Sequence, residues 1–158
     1  MTLSRIVTAA ALACATSQAL ATACSVSVSL MAFGLYDTTS ASNNDTAATV
    51  EVTCIPGVSD PLTTPYTVTL AGIGSGNDSV RSVVAGAWRL YYQVYKDSQR
   101  TQVWGNGGSS GAGVSSTVTS SAALTPGLRV HTAYARMPAY QAVRPGVYVG
   151  SLLVTVDY

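Results

Sequence analysis

The chain reads as an all-β sandwich. Three observations carry that reading. Short runs of β-branched and aromatic residues recur with period-two alternation, each bounded by Gly, Pro, Asn or Ser turn signals. Gly, Ser, Thr, Val and Ala dominate the composition, a mix poor for helices and suited to strands joined by small-residue turns. Only 9% of the 158 residues are charged, against roughly 25% in an average soluble domain, and the length fits one domain.

The opening residues read as an export signal spanning 1–21. Arg5 supplies the positive start and Ile6 to Ala15 an apolar run of the expected length. Ala19-Leu20-Ala21 is a small-residue cleavage site, and Ala21-Thr22-Ala23 overlaps it as a second choice. The apolar run is far shorter than the ~20 residues a membrane span needs, so no stable membrane anchor is expected. The mature domain is expected over 22–158.

Cys24-Ser25-Val26-Ser27-Val28-Ser29-Leu30 alternates strictly, with serines on one face. It is the clearest half-buried strand in the chain. Phe33-Gly34-Leu35-Tyr36 reads as a bend, and Thr38 to Thr46 as a polar loop. Ala48 to Ile55 is a second strand that puts Val50, Val52 and Cys54 on one face. Cys14 departs with the signal, which leaves Cys24 and Cys54. An even pair in an exported protein reads as a disulfide between neighbouring strands. Such a loop is worth ~3–4 kcal/mol in the chain-entropy model.

Pro56 to Pro65 holds three prolines and is expected to exclude a central strand. Tyr66 to Leu70 alternates again, and Gly72 to Ser79 is a glycine-rich loop. Arg81 to Ala85 is a short strand. Trp88 to Tyr95 is a long one, apolar on both faces, which places it centrally. Thr101 to Trp104 is read as another short strand and Gly105 to Gly113 as a flexible glycine-serine loop. Val114 to Thr119 and Leu128 to Met137 follow as strands. The segment from Pro145 runs to Tyr158 with Leu152, Val154, Val156 and Tyr158 on one face. Nothing after it in the chain pairs with that last strand. It is therefore either flanked on both sides by earlier segments or left with an open edge for another chain.

Residues that could carry chemistry give little. A net charge of +1 offers no footprint for nucleic acid. His131, the one histidine, has no acidic neighbour in sequence, and there is no Gly-x-Ser-x-Gly elbow. The glycine runs at 72–76 and 105–108 complete no phosphate-binding pattern. The seven acidic residues are scattered, which disfavours a glycosidase pair or a calcium loop. Two cysteines far apart in sequence make a poor metal set. No enzyme activity, metal or cofactor is expected. Nine tyrosines fit strand packing, and also fit an adhesive surface.

An ordered series of motifs then appears. It comprises Cys24, Phe33-Gly34-x-Tyr36, Val52-x-Cys54, Tyr66-x-Val68-x-Leu70, Leu90-x-Tyr92-x-Val94-Tyr95-x-Asp97, Trp104-Gly105, Tyr134-x-Arg136-Met137-Pro138 and Pro145-Gly146-x-Tyr148. The series resembles the spore coat protein U domain, which is also the pilin domain of archaic (Csu-type) chaperone–usher pili. Ala135 stands where the family has Gly, and Val149-Gly150 where it has an acidic residue. The resemblance implies an incomplete immunoglobulin-like β-sandwich lacking its final strand. It implies a donor-strand groove between Val26, Val28 and Leu30 on the first strand and Leu152, Val154 and Val156 on the last. The implied partners are a periplasmic chaperone, an outer-membrane usher and a neighbouring pilin subunit that donates a strand. The implied destination is a fimbrium or the cell surface, by way of the periplasm. Strand-donating members carry about a dozen alternating residues before the first cysteine. Here Thr22 and Ala23 remain after the signal. At about 3.3 Å per residue they cannot fill a groove. A subunit that receives a strand and gives none is expected, at a fibre tip or as a minor component. An adhesive module and a self-contained secreted coat protein remain the alternatives.

Overall fold

The computed structural model describes residues 21–72 and 80–158. Residues 1–20 of the expected signal and 73–79 of the glycine-rich loop lie outside the described residues. The described chain forms eight strands: β1 (Ala23–Val28), β2 (Asn44–Ile55), β3 (Thr63–Gly72), β4 (Arg81–Ala85), β5 (Trp88–Tyr95), β6 (Val114–Thr119), β7 (Gly127–Met137) and β8 (Leu152–Asp157). A single 3-10 turn spans Gly108–Ser110. One sheet has the order β1-β2-β7-β5-β4 and the other β6-β3-β8. Every pairing is antiparallel. The fold is the all-β sandwich that the alternating segments predict.

The two sheets bury one face each against the other. Val50, Val52 and Cys54 of β2 point inward with Ala133, Ala135 and Met137 of β7 and Leu90, Tyr92 and Val94 of β5. Tyr66, Val68 and Leu70 of β3 oppose them from the smaller sheet. Trp104 fills the space left beside the two small alanines, fully buried, and its indole N–H donates to the Val68 carbonyl at 3.0 Å. Arg81 is also buried, and its guanidinium donates to the carbonyls of Leu70 and Trp104 at 2.9 and 2.7 Å. These bonds tie β4 to β3 and to the Trp104 segment. Gly86, at φ 58°, forms the two-residue turn that joins Ala85 of β4 to its partner Trp88 of β5.

Cys24 and Cys54 are direct cross-strand neighbours in the β1–β2 ladder, and they are disulfide-bonded with Cα atoms 4.1 Å apart. The staple predicted from cysteine count and alternation is present at the inward face. β5 is flanked by β7 and β4, as its two apolar faces predict.

Four expectations are corrected. β2 starts at Asn44, because Asn44 to Ala47 pair with Tyr134 to Met137 and continue the ladder that polar side chains had masked. Pro65 sits inside β3, the middle strand of its sheet. β8 pairs only with Thr67 to Gly72, so at Pro65 the strand has one partner, and a residue without an N–H is tolerated there. Thr101 to Trp104 is not a strand; it touches β5 through one bridge, Tyr95 to Val103. The Gly105 to Gly113 loop folds on itself. Gly107 N–H donates to Gly111 O at 2.9 Å, and the buried Ser110 hydroxyl donates to Asn106 Oδ1 and Gly107 O at 2.7 and 2.6 Å. A Cβ at Gly105 would strike the Ser110 carbonyl, so glycine here serves close packing, not looseness.

Candidate functional site: an apolar groove between two unpaired edges

Among the described residues β1 pairs only with β2, and β8 only with β3. β1 is the edge of one sheet and β8 the edge of the other, and the two lie against each other. Each presents a row of backbone N–H and C=O groups that no neighbouring strand in the described chain satisfies. Beside them a wide cleft opens among the described residues.

One wall of that opening is the chain after β1. Ser29 N–H still donates to the Thr49 carbonyl at 3.0 Å, and Thr49 N–H to Ser29 Oγ at 2.8 Å. Beyond this point side chains take over from the ladder. Thr46 Oγ1 donates to Ala32 O at 2.7 Å and Asn44 Nδ2 to Leu35 O at 3.0 Å. Gly34, at φ 69°, turns the chain. Phe33 packs edge-on to Tyr92 with ring centroids 5.5 Å apart, and Tyr36 OH donates to Pro138 O at 2.6 Å. The wall is thus pinned at intervals and leaves Leu30 and Leu35 projecting outward.

The opposite wall is the approach to β8. The last apolar segment does not run as one strand from Pro145. Val149 first makes a bridge to Val84 on β4, with bonds of 2.8 and 3.1 Å. Gly150 then passes against β4, where a Cβ would come within 3.1 Å of Ser82 O and Val83 Cγ1. Only from Leu152 does the chain join the smaller sheet. The segment therefore crosses from one sheet to the other, and this crossing closes the far side of the groove. Arg144 lies over the Trp88 ring at 5.1 Å, and Tyr148 OH donates to Arg144 O at 2.8 Å.

The cleft so formed has a volume of about 1240 Å³. Its floor is the inward face of the core: Val50, Leu70, Leu90, Tyr92, Ala133 and Met137. Burial raises the Tyr92 hydroxyl above its usual range, against the opposing pull of Arg81. Asp37 and Arg144 are the charged residues of its lining. Asp37 is held below the usual carboxylate range by the backbone N–H and the hydroxyl of Thr39. Leu30 is 87% exposed, Val147 84% and Val28 53%, all along the rim. The cleft thus combines an apolar floor, exposed apolar rims and unpaired strand edges.

Of the residues expected to form a groove, Val28, Leu30, Leu152 and Val154 line this cleft. Val26 and Val156 continue the same faces but pack against the core beyond it. Met31, Phe33, Val143, Val147, Tyr148 and the floor residues were not foreseen as groove residues. Phe33-Gly34-x-Tyr36 and Pro145-Gly146-x-Tyr148 mark both walls, so a signal for them was present.

A smaller cavity of about 310 Å³ lies elsewhere, lined by Lys96, Trp104, Val114, Ser115, His131 and Thr132. His131 Nε2 is 2.6 Å from Tyr66 OH, and its ring lies edge-on to Trp104. Burial, then the charge of Arg129, lowers its pKa. The lining holds no carboxylate to orient the imidazole, so it is no triad. Among the described residues no three His, Cys, Asp or Glu side chains are grouped to hold a metal ion, and no helix is long and apolar enough to cross a membrane.

Two facing antiparallel sheets, one of them stapled within itself by the Cys24–Cys54 bond, define an immunoglobulin-like β-sandwich. The chain belongs to the Spore Coat Protein U domain family, whose model matches residues 9–155. That family is a structural coat domain and not an enzyme family. No curated protein matches the chain. Among solved structures, it is similar to the chaperone–tip adhesion subunit pre-assembly complex CsuC–CsuE from the archaic chaperone–usher Csu pili of Acinetobacter baumannii. Identity is 19% and the TM-score 0.58, over 87% of this chain and 40% of that one. A chaperone–tip adhesin complex of CFA/I fimbriae matches at 13% identity and a TM-score of 0.44, over 83% of this chain and 40% of that one. The chain thus spans well under half the length of the solved chains it resembles, and the first likeness establishes a shared fold.

Proposed function

We propose that this protein is a non-enzymatic subunit of a secreted surface fibre or coat that accepts a β-strand from another polypeptide in its groove. The observation that carries the reading is the pair of unpaired edges, β1 and β8, beside a cleft whose floor is the apolar core and whose rim exposes Val28, Leu30 and Val147. A strand laid between them would satisfy both rows of backbone groups and bury alternate side chains on Val50, Leu70, Leu90 and Met137. A periplasmic chaperone would supply that strand first, and a neighbouring subunit would replace it at an outer-membrane usher. Family membership and the fold shared with a chaperone-bound pilus subunit complex support these partners. The chain would be exported through the periplasm to the cell surface or a fimbrium.

Its place would be terminal. After cleavage at Ala21 only Thr22 and Ala23 precede Cys24, and Ala23 is already paired with Ile55. A subunit of this kind receives a strand without passing one on.

The test is periplasmic expression of the full chain with and without a pilus chaperone of the archaic class. Recovery only as a one-to-one complex supports an open groove. A lone monomer whose melting temperature is unmoved by strand peptides sinks the proposal. It would leave a self-contained coat protein. Assembly that survives loop deletion while surface attachment is lost would add an adhesive role.

A further inference from the structure

Asp60 sits in the β2–β3 connection, and its carboxylate faces the residue just ahead of β1. One oxygen, Oδ2, accepts from the Thr22 backbone N–H at 2.7 Å and from Thr22 Oγ1 at 2.6 Å. The same oxygen accepts from Gly57 N–H at 3.2 Å. The carboxylate therefore grips the chain at one of the two small-residue cleavage sites. Cleavage after Ala21 would leave Thr22 first and convert the N–H held by Asp60 into an α-ammonium. Cleavage after Ala23 would discard Thr22, both of its bonds to Asp60, and the Ala23–Ile55 pair that opens β1.

We propose that export processing cuts between Ala21 and Thr22, and that Asp60 is the receptor for the N-terminus so created. A signal peptidase adds water across the Ala21–Thr22 peptide bond. Ala21 leaves as a carboxylate, and the Thr22 amine takes the proton to become an ammonium. That ammonium then pairs with Asp60 Oδ2, with the Thr22 hydroxyl as a second donor.

In the uncut chain the contact is already in place. Thr22, through its hydroxyl first and its N–H second, holds Asp60 below the usual carboxylate range. Replacing a neutral amide N–H by an ammonium turns the same contact into an ion pair. The consequence is mechanical. The leading residue is tied to the β2–β3 connection, and Cys24 is tied to Cys54 two positions later. The mature N-terminus is held against its own domain. Whether the groove receives a strand does not depend on this site, so the two fail separately; only the terminal placement rests on the same cleavage.

The full precursor is expressed in a Gram-negative periplasm and the mature N-terminus is read by intact mass and N-terminal sequencing. A start at Thr22 is expected; a start at Cys24 or any other residue overturns the proposal. This readout does not require folded protein. The α-amine is then titrated by NMR after reductive ¹³C-methylation. Lys96 is the chain's one lysine, so two amine signals suffice for assignment. In the folded protein the α-amine pKa is expected about one unit above its ordinary 7.7–8.0. It should return to that range in denaturant and in Asp60→Asn. An unshifted amine in the folded wild type overturns the clamp even if the variant fails to fold. Where folding needs a strand in trans, an N-acetylated peptide without lysine adds no third amine.

Discussion

The same face of β1 meets two different fates within seven residues. At its start Cys24 is bonded to Cys54, beside the fully buried Val52. At its end Val28 and Leu30 stand open to solvent on the rim of the groove. The residues alternate identically at both ends. What differs is the layer opposite. Cys24 packs against the closed core, whereas Val28 and Leu30 line the open cleft. Burial in a sandwich is a property of two sheets, and alternation in one strand reports only which way a side chain points. The stapled end is cross-linked and buried, and the other end leaves apolar surface exposed.

Breaking the staple gives the largest effect. Cys54→Ser removes a cross-link over a sequence separation of 30. It is expected to cost about 2–5 kcal/mol and to abolish folding at body temperature where the margin is small. Thermal melts with and without reductant check this. A loss below about 1 kcal/mol would mean that the core alone sets the stability of this end.

A matched pair of truncations sharpens the contrast. Val52→Ala cuts into a fully buried position and should destabilise by about 2 kcal/mol, as cavity-forming substitutions do. Leu30→Ala lies on an exposed rim, so the uncomplemented domain should change by no more than about 0.5 kcal/mol. The same Leu30→Ala should weaken a groove-bound strand peptide by roughly 2 kcal/mol, about 30-fold in Kd. Titration calorimetry with a strand peptide decides it. Equal peptide affinity for both forms would remove Leu30 from the binding surface.

Much of this architecture was legible in the residues, because sheet pairing writes itself as period two. Cys24, Val26, Val50, Val52, Cys54, Tyr66, Val68 and Leu70 all lie on the faces that alternation assigns. What stayed hidden depends on partners far away in sequence. Pro65 is permitted in a middle strand only because β8 stops short of it. Thr101 to Trp104 has strand-like residues, yet Trp104 is consumed by the core and its chain makes one bridge. Four residues of the cleft lining, Val28, Leu30, Leu152 and Val154, are among those expected from the two edges. Its floor was not foreseen, because Leu90, Tyr92 and Met137 read simply as core, and only the walls at 29–37 and 143–150 make them the base of a cleft. The switch of the last segment from β4 to β3 is set by Gly150 packing against Val83, a contact that no local pattern encodes.

The smallest effect belongs to the closed side of the sandwich, where His131 of the larger sheet meets Tyr66 of the smaller one. Burial holds the imidazole below its ordinary pKa, and Arg129 adds to this from two positions earlier on β7. Lys96, from the other side of the same small cavity, is a further cation near an imidazolium. The unfolded chain therefore binds a proton at higher pH than the folded one. The contribution of neutral His131 is complete above the unfolded value near 6.5 and is lost as pH falls through the lowered folded value. His131→Gln keeps a hydrogen-bonding group opposite Tyr66 but cannot titrate. Wild type should thus lose more melting temperature than His131→Gln between about pH 7.5 and pH 5. Parallel losses would show that scattered carboxylates, such as Asp45 beside Arg136, carry the acid sensitivity instead. A steeper loss in wild type would show that the closed side is held by one polar contact that acid can loosen, while the disulfide end is indifferent to pH.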